Sequence, residues 1–344
     1  MKNMAAWLTG IQKIELSEID MPIPESTEVI VKIEYVGICG SDMHFYETKN
    51  YSLGPIVDPL IPGHECAGVV SAIGADVTNL KIGDRVAIEP GQSCGECEFC
   101  KSGRYNICPN VRFISVPPYN GALRNYLAHH ASLCFRLPDN VSTMEGALIE
   151  PLAVGLHAAR IGGAELGKTV VLLGAGCIGL TTLMACKMMG VSTIIITDLF
   201  DSRLEKAKEL GADITINASR EDVPAKIMEL TNDMGADIVF ETAGSSATAA
   251  MTAAVAKRGG VIVMVGNVFG ETPFRFFDIA RKEIEIRTVY RYRNIYPLAL
   301  QLLASGRINI NKLVTSIFDF KDSDQAFAHA ISNKQDTIKS VIRL

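Results

Sequence analysis

From about residue 169 to 290, short β-branched runs alternate with longer stretches of helical period. The runs are "TVVLLG", "TIIITD", "DITIN", "ADIVFET", "GVIVMVG" and "EIEIRTV"; between them lie "GCIGLTTLMACKMMG", "DSRLEKAKELGA", "DVPAKIMELTND", "SATAAMTAAVAK" and "FRFFDIARK". Near-continuous apolarity marks strands buried on both faces, and helix-length connections join parallel rather than hairpin neighbours. The pattern therefore predicts an α/β doubly wound parallel sheet. Residues 1–152 differ: short strands ("EVIVKIEYVGI", "CAGVVSAIG", "DRVAIEP"), many Gly and Pro and few helical repeats predict a mostly β domain. After about 293 come "YPLALQLLASG", "VTSIFDF", "DQAFAHAIS" and "IKSVIRL". Because the middle sheet (153–293) is already complete, the tail 294–344 is expected to return to the first domain. A chain of 344 residues is long enough for two such cores.

Composition narrows the partners. With 48% hydrophobic and 21% charged residues and a net charge of -5, the chain has no general electrostatic reason to bind nucleic acid or an anionic membrane. The N-terminal apolar patch is too short for a signal peptide, so the expectation is a cytoplasmic protein. Residues 169–186 are uncharged over a membrane-span length, but three glycines split them, which fits a strand followed by a buried helix. Nine cysteines in such a chain argue for reduced thiols rather than a disulfide framework.

"LLGAGCIGL" places Gly174, Gly176 and Gly179 in G-x-G-x-x-G spacing after an apolar strand and at the opening of a helix. The first glycine permits the tight turn, the second admits a pyrophosphate to the backbone, and the third lets helix and strand pack closely. Ile178 lies in the same turn, and helix N-terminal amides then face the phosphates. Asp198, at the end of the next strand, suits the adenosine ribose and would repel a 2′-phosphate, so NAD is expected over NADP. The alternative is that Asp198 caps the following helix, a task Asp201 or Ser202 could fill.

"CGECEFCKSGRYNIC" carries Cys94, Cys97, Cys100 and Cys108, four thiols that can close a tetrahedron around a structural Zn²⁺. An iron–sulfur cluster is the rival, since the first three follow ferredoxin-like spacing and Pro109 follows the last, but the final gap is long. A DNA-reading zinc module would need a basic recognition helix, which the segment lacks. Elsewhere three segments offer Cys39, Ser41 and His44, then His64 and Glu65, then Glu150, and a cysteine, a histidine and a carboxylate drawn from separate segments, with one position left open, form a catalytic zinc site. In "IPGHECAGVV", simple strand alternation would set His64 and Cys66 on one side and Glu65 on the other.

Taken together, "GHECAGVVSAIGADV", "CGSDMH", the four-cysteine lobe, "EPLAVGLHA", "GAGCIG" and "TDLFDSRLEKAKELGA" resemble the zinc-dependent medium-chain alcohol dehydrogenase family over the whole chain. Glu150, in place of a third metal-binding cysteine, and "VYRYRNIYP" resemble its polyol branch of sorbitol and xylitol dehydrogenases. The resemblance implies a GroES-like catalytic domain, a Rossmann domain and oxidation of a secondary hydroxyl with NAD. It also implies a dimer or tetramer. By the same resemblance Cys39, His64 and Glu65 look like ligands of a catalytic zinc, with Glu150 binding directly or through water, and Ser41 and His44 like a proton relay. Zinc lowers the pKa of a bound alcohol, which readies it to expel hydride.

Val265, Gly266 and Asn267, with Val289, Tyr290 and Arg291, match family segments near the cofactor; Arg203 matches the partner of its adenosine end, and Arg291 and Tyr292 match residues near substrate. One departure is Phe45, where sorbitol dehydrogenases often carry a tyrosine; Tyr46 follows it, so a substrate-bonding hydroxyl is absent or displaced. Competing readings are the same scaffold acting on butanediol, threonine or a sugar acid, and a non-catalytic NAD-binding regulator. Cys134, Cys177, Cys186, His129, His130 and His157 are expected to be structural.

Overall fold

A computed structural model describes every residue except Met1, Ser52, Leu53 and Val57. The chain divides into two compact units, Met1–Glu150 with Tyr296–Leu344, and Pro151–Ile295.

The first unit is built on a seven-stranded sheet with the order Cys134–Arg136, Arg85–Ile88, Glu65–Ile73, Glu28–Gly37, Lys339–Arg343, Val314–Asp319; Tyr126–His130 also pairs with Glu28–Gly37. Glu28–Gly37 holds the middle because its run "EVIVKIEYVG" is the longest and buries Val29, Val31, Ile33 and Val36. Against it Glu65–Ile73 runs antiparallel with two register shifts. Gly68 permits that close approach, since a Cβ there would stand 2.0 Å from the Lys32 carbonyl oxygen. The final strand pairs antiparallel with Tyr35–Gly37 and parallel with Val314–Asp319, which sets Lys339 beside the start of Glu65–Ile73. Its core gathers Val31, Ile33, Val70, Val86, Ile88, Leu127, Phe327 and Ile342.

The helix of this unit that carries candidate site residues is absent from the sequence expectation. Gly40–Thr48 has almost no amphipathic period, so hydrophobic patterning does not reveal it; a capping box formed by Cys39 and Asp42 starts it.

In the second unit six strands pair in parallel in the order Ile214–Asn217, Thr193–Asp198, Thr169–Leu173, Ala236–Glu241, Ala256–Met264, Glu285–Thr288. The order reverses direction between Thr169–Leu173 and Ala236–Glu241, the switch point at which doubly wound sheets bind ligands. The uncharged stretch from 169 resolves into the strand Thr169–Leu173 and the helix Cys177–Met188. Among the described residues, no helix is long and apolar enough to cross a membrane.

Candidate metal centres and cofactor turns

Cys39, His64 and Glu65 come together, their donor atoms all within 4.8 Å of one another. Each arrives from a different local device. Cys39 is the N-cap of the helix Gly40–Thr48. His64 follows Gly63, whose φ of +93° turns the chain before the strand, and Glu65 opens that strand opposite Gly37. This corrects the alternation argument: His64 precedes the strand, so spacing from it does not bring Cys66 to the same group. Cys66 is instead buried in the core, where desolvation raises its thiol well above the usual range.

Asp42 organises the group from behind. Its Oδ1 accepts from Ser115 Oγ at 2.8 Å and Gly63 N at 3.2 Å and faces His64 Nδ1 at 3.6 Å; its Oδ2 accepts from Cys39 N at 3.2 Å. Burial pushes the Asp42 carboxyl up, but His64, Ser115 and the Cys39 amide together hold it below its ordinary value. Burial likewise lowers His64, and Asp42 followed by Cys39 outweighs it, holding the imidazole well above 6.5. With Nδ1 turned to a carboxylate, the ring's other nitrogen is the one left for a metal, the orientation that metal-ligating histidines adopt.

Glu65 carries the least expected partner. Both of its oxygens accept from Lys339 Nζ at 2.8 Å, and that ammonium also donates to the Ile38 carbonyl at 3.0 Å. Side-chain exposures of 3% and 1% make this a fully desolvated ion pair. Gly37 makes room for it, since a Cβ there would lie 2.1 Å from Glu65 Oε2. A thiolate, an imidazole and a carboxylate so close together fit a zinc ion, with Lys339 competing for the carboxylate. Glu150, buried at the start of the helix Ile149–Gly162, lies outside the three-residue group.

Asp42, Gly37 and Lys339 are absent from the sequence reading. Asp42 does lie inside "CGSDMH", and a lysine in the apolar strand "IKSVIRL" is the one signal that pointed to a buried cation.

The four lobe cysteines also converge, with Sγ···Sγ distances of 3.4 Å (Cys97–Cys100), 3.5 Å (Cys94–Cys108) and 3.9 Å (Cys94–Cys100). A zinc tetrahedron with Zn–S bonds of about 2.3 Å has edges of about 3.8 Å, which these spacings match. A four-iron cluster would spread its cysteines over separate irons and hold the sulfurs well apart. Backbone amides of Glu96 and Cys97 lower the Cys94 thiol to about 6, which favours the ligating thiolate.

In the second unit, Gly174 has a φ of +114° and lies against Ala243, whose nitrogen would be 2.9 Å from an added Cβ. A Cβ on Gly179 would lie 2.0 Å from the Gly174 oxygen. Gly176 is the N-cap of the helix Cys177–Met188, which leaves its first amides and Ile178 beside the turn. Asp198 does not cap the next helix, whose N-cap is Phe200. Its Oδ2 accepts from Ala175 N at 2.8 Å, its Oδ1 from Phe200 N at 3.1 Å, and Arg203 stands 3.8 Å away. Val265, Gly266 and Asn267 follow the strand Ala256–Met264; Val289, Tyr290 and Arg291 follow Glu285–Thr288, so all six sit at the strands' carboxyl ends. Arg291 takes a left-handed φ of +56° and lies over the Tyr290 ring at 4.7 Å. Tyr292 is buried.

Ser41 and His44 are half-buried on the helix that Cys39 caps. Phe45 packs into the core, and the Tyr46 hydroxyl donates to Asp324 at 3.1 Å, so it does not stand in for the missing tyrosine at 45. His129 is buried with Nε2 at 2.9 Å from the Glu89 carbonyl oxygen, and desolvation takes it down to about 4. Cys134 and Cys186 are buried thiols pushed up to about 12.

Family models described as "Alcohol dehydrogenase GroES-like domain" and "Zinc-binding dehydrogenase" match residues 25–139 and 177–305. Over 351 residues the chain is 47% identical to an uncharacterized zinc-type alcohol dehydrogenase-like protein of Escherichia coli, with 100% of this chain and 99% of that protein covered. It is 40% identical over 343 residues to a sorbitol dehydrogenase of Bacillus subtilis, covering 99% and 97% of the two chains. A solved Escherichia coli oxidoreductase/dehydrogenase of unknown specificity superposes with a TM-score of 0.97 at 46% identity, covering 100% of this chain and 99% of the other.

Proposed function

The chain belongs to the zinc-dependent medium-chain alcohol dehydrogenase family, on its polyol branch, and from that membership we propose an NAD-dependent polyol dehydrogenase that oxidises a secondary hydroxyl to a ketose. The observation that carries this reading is the convergence of Cys39, His64 and Glu65 in one buried group. These three would hold the catalytic zinc, and Glu150 would bind it directly or through water. Cys94, Cys97, Cys100 and Cys108 hold the structural one. When bound, the catalytic ion lowers the pKa of the substrate hydroxyl.

The rest of the chemistry belongs to the chain. Asp42 fixes the His64 ring, and Lys339 neutralises Glu65 so that the site does not carry an uncompensated carboxylate. Ser41 and His44, on the helix begun by Cys39, pass the hydroxyl proton toward solvent. Gly174, Gly176, Ile178 and Gly179 admit the pyrophosphate to the helix Cys177–Met188, while Asp198, with Arg203 beside it, takes the adenosine ribose. Val265, Gly266, Asn267, Val289, Tyr290 and Arg291 border the nicotinamide. Arg291, Tyr292 and Glu150 bind the further hydroxyls of the polyol, and Phe45 contributes bulk without a hydroxyl.

An absorbance assay for NADH over sorbitol, xylitol, butanediol and threonine tests the reading. Turnover of at least one polyol with NAD, and much weaker turnover with NADP, is expected. Turnover of the diol or the amino acid alone would sink the polyol assignment.

Self-association belongs to the same proposal, as a homodimer or tetramer. It is supported by the strand Glu285–Thr288, which among the described residues pairs on one side only, and by exposed Ile286, Phe269, Phe276 and Phe277. Nine thiols outside disulfides suit a reducing compartment, so we place the protein in the cytoplasm; recovery with cytosolic markers on fractionation is the check.

A further inference from the structure

We propose that Glu241 is a positioning residue that sets the nicotinamide end of the cofactor site by tying together the turns at the sheet's switch point; this rests on the reading of Val265–Asn267 given above. Glu241 is the last residue of the strand Ala236–Glu241 and is 0% exposed. Its register partners are Leu173 on one side and Met264 on the other, so it stands where both neighbouring strands end.

Its main chain and side chain serve different turns. The Glu241 carbonyl accepts from Val265 N and Gly266 N, both at 2.9 Å. Its carboxylate Oε1 accepts from Ala243 N at 3.0 Å, Gly244 N at 2.8 Å and Thr248 Oγ1 at 2.7 Å. The adjacent Thr242 hydroxyl donates to the Gly174 and Leu173 carbonyls at 3.0 and 3.1 Å, which brings the phosphate-side glycine turn into the same network. Among the described residues Oε2 has no hydrogen-bond partner, and it would lie 2.6 Å from a Cβ placed on Gly266. The Gly244 nitrogen would lie 2.4 Å from that same Cβ. The carboxylate is therefore wedged under the point where the Gly244 and Gly266 backbones meet.

An acid is a costly choice for this position if the fold alone is at stake. Burying a carboxylate with one oxygen bare lowers stability, and an apolar side chain would finish the strand without that cost. What the carboxylate supplies is an acceptor with the reach to hold two consecutive amides and a helix hydroxyl at once. The main-chain carbonyl holds Val265 and Gly266, and the carboxylate fixes Gly244, the backbone against which Gly266 and Asn267 pack. Hydride transfer tolerates little misplacement of the reacting ring, so order in this turn is order in the reaction.

The experiment compares NADH with ADP-ribose, which lacks the nicotinamide, in titrations of the wild-type chain and of Glu241→Ala, Glu241→Gln, Glu241→Asp and Thr248→Val. Glu241→Ala is expected to weaken NADH about tenfold and leave ADP-ribose unchanged. Glu241→Gln, which keeps the Oε1 acceptor, is expected to restore NADH affinity; Glu241→Asp, one methylene short, is not. Thr248→Val is expected to weaken NADH about threefold, and it keeps the test open should the alanine variant not fold. Equal loss for both ligands, unchanged NADH affinity in the alanine variant, or glutamine no better than alanine would overturn the proposal. Any of these overturning results, where the wild-type chain binds NADH and ADP-ribose, rejects the role of Glu241 and leaves the cofactor reading standing. A wild-type chain that binds neither ligand removes the cofactor reading and this inference with it.

Discussion

At the residue scale, the buried pair Glu65–Lys339 matters most, because a paired charge deep in the protein stays tolerable only while both partners remain. Lys339→Met is expected to destabilise the first unit by about 3–5 kcal/mol in urea unfolding, and Glu65→Gln added to it should recover a large part of the loss. If the double variant proves no more stable than the single one, the pair is not the source of the cost. Glu89 gives a prediction in pH. It is buried, which raises it from 4.5 to about 7, while the Tyr105 hydroxyl at 2.9 Å opposes the shift. A carboxyl raised on folding favours the folded state fully below 4.5, and that contribution is lost as pH climbs through about 7. Glu89→Gln keeps the acceptor for Tyr105 and should raise stability by about 1–3 kcal/mol at pH 8, with no gain at pH 4. Thermal melts at the two pH values decide it.

At the element scale, the four-cysteine lobe exposes the segment between its third and fourth sulfurs, while Tyr105 ties its base to Glu89. Its helix Glu98–Lys101 buries no residue, and Lys101 and Arg104 are exposed. Treatment with a strong chelator should therefore open the lobe to trypsin after Lys101 or Arg104 while the fragment carrying residues 151–295 stays intact. Cutting elsewhere first would mean that the metal does not hold the lobe. The two halves of the chain differ in how far patterning reads them. The inner parallel strands, such as Thr169–Leu173 and Ala236–Glu241, are visible from apolar runs because burial on both faces makes the runs near-continuous, whereas the edge strand Glu285–Thr288 is mostly exposed and shows itself by its β-branched residues. Gly40–Thr48 is visible in neither way, since its cap rather than its amphipathicity starts it, yet this helix carries Cys39, Ser41, Asp42 and His44.

At the scale of the whole molecule, two zinc ions per chain are expected on metal analysis, and Cys39→Ala should lose one of them while Cys97→Ala loses the other. A single ion insensitive to Cys39→Ala would remove the catalytic centre. Sedimentation velocity tests assembly: the wild-type chain should run as a dimer or larger, and Phe277→Glu with Ile286→Glu should shift it toward the monomer. An unchanged profile would mean that the exposed edge of the second sheet is not the contact.

By itself the sequence determined the doubly wound sheet, the glycine turn, the lobe of four sulfurs and the family, because each is written in local spacing or in the periodicity of burial. The family resemblance already set Glu65 rather than Cys66 beside His64; the tertiary structure supplied the physical reason, since Gly63 turns the chain just before the strand begins. Only the tertiary structure decided that the Tyr46 hydroxyl goes to Asp324. The pairing of Glu65 with Lys339 spans 274 residues, and Glu241 together with Thr242 joins turns from three strands. Such contacts depend on which strands become neighbours, and sheet order is a property of the packed chain that no local stretch of residues encodes.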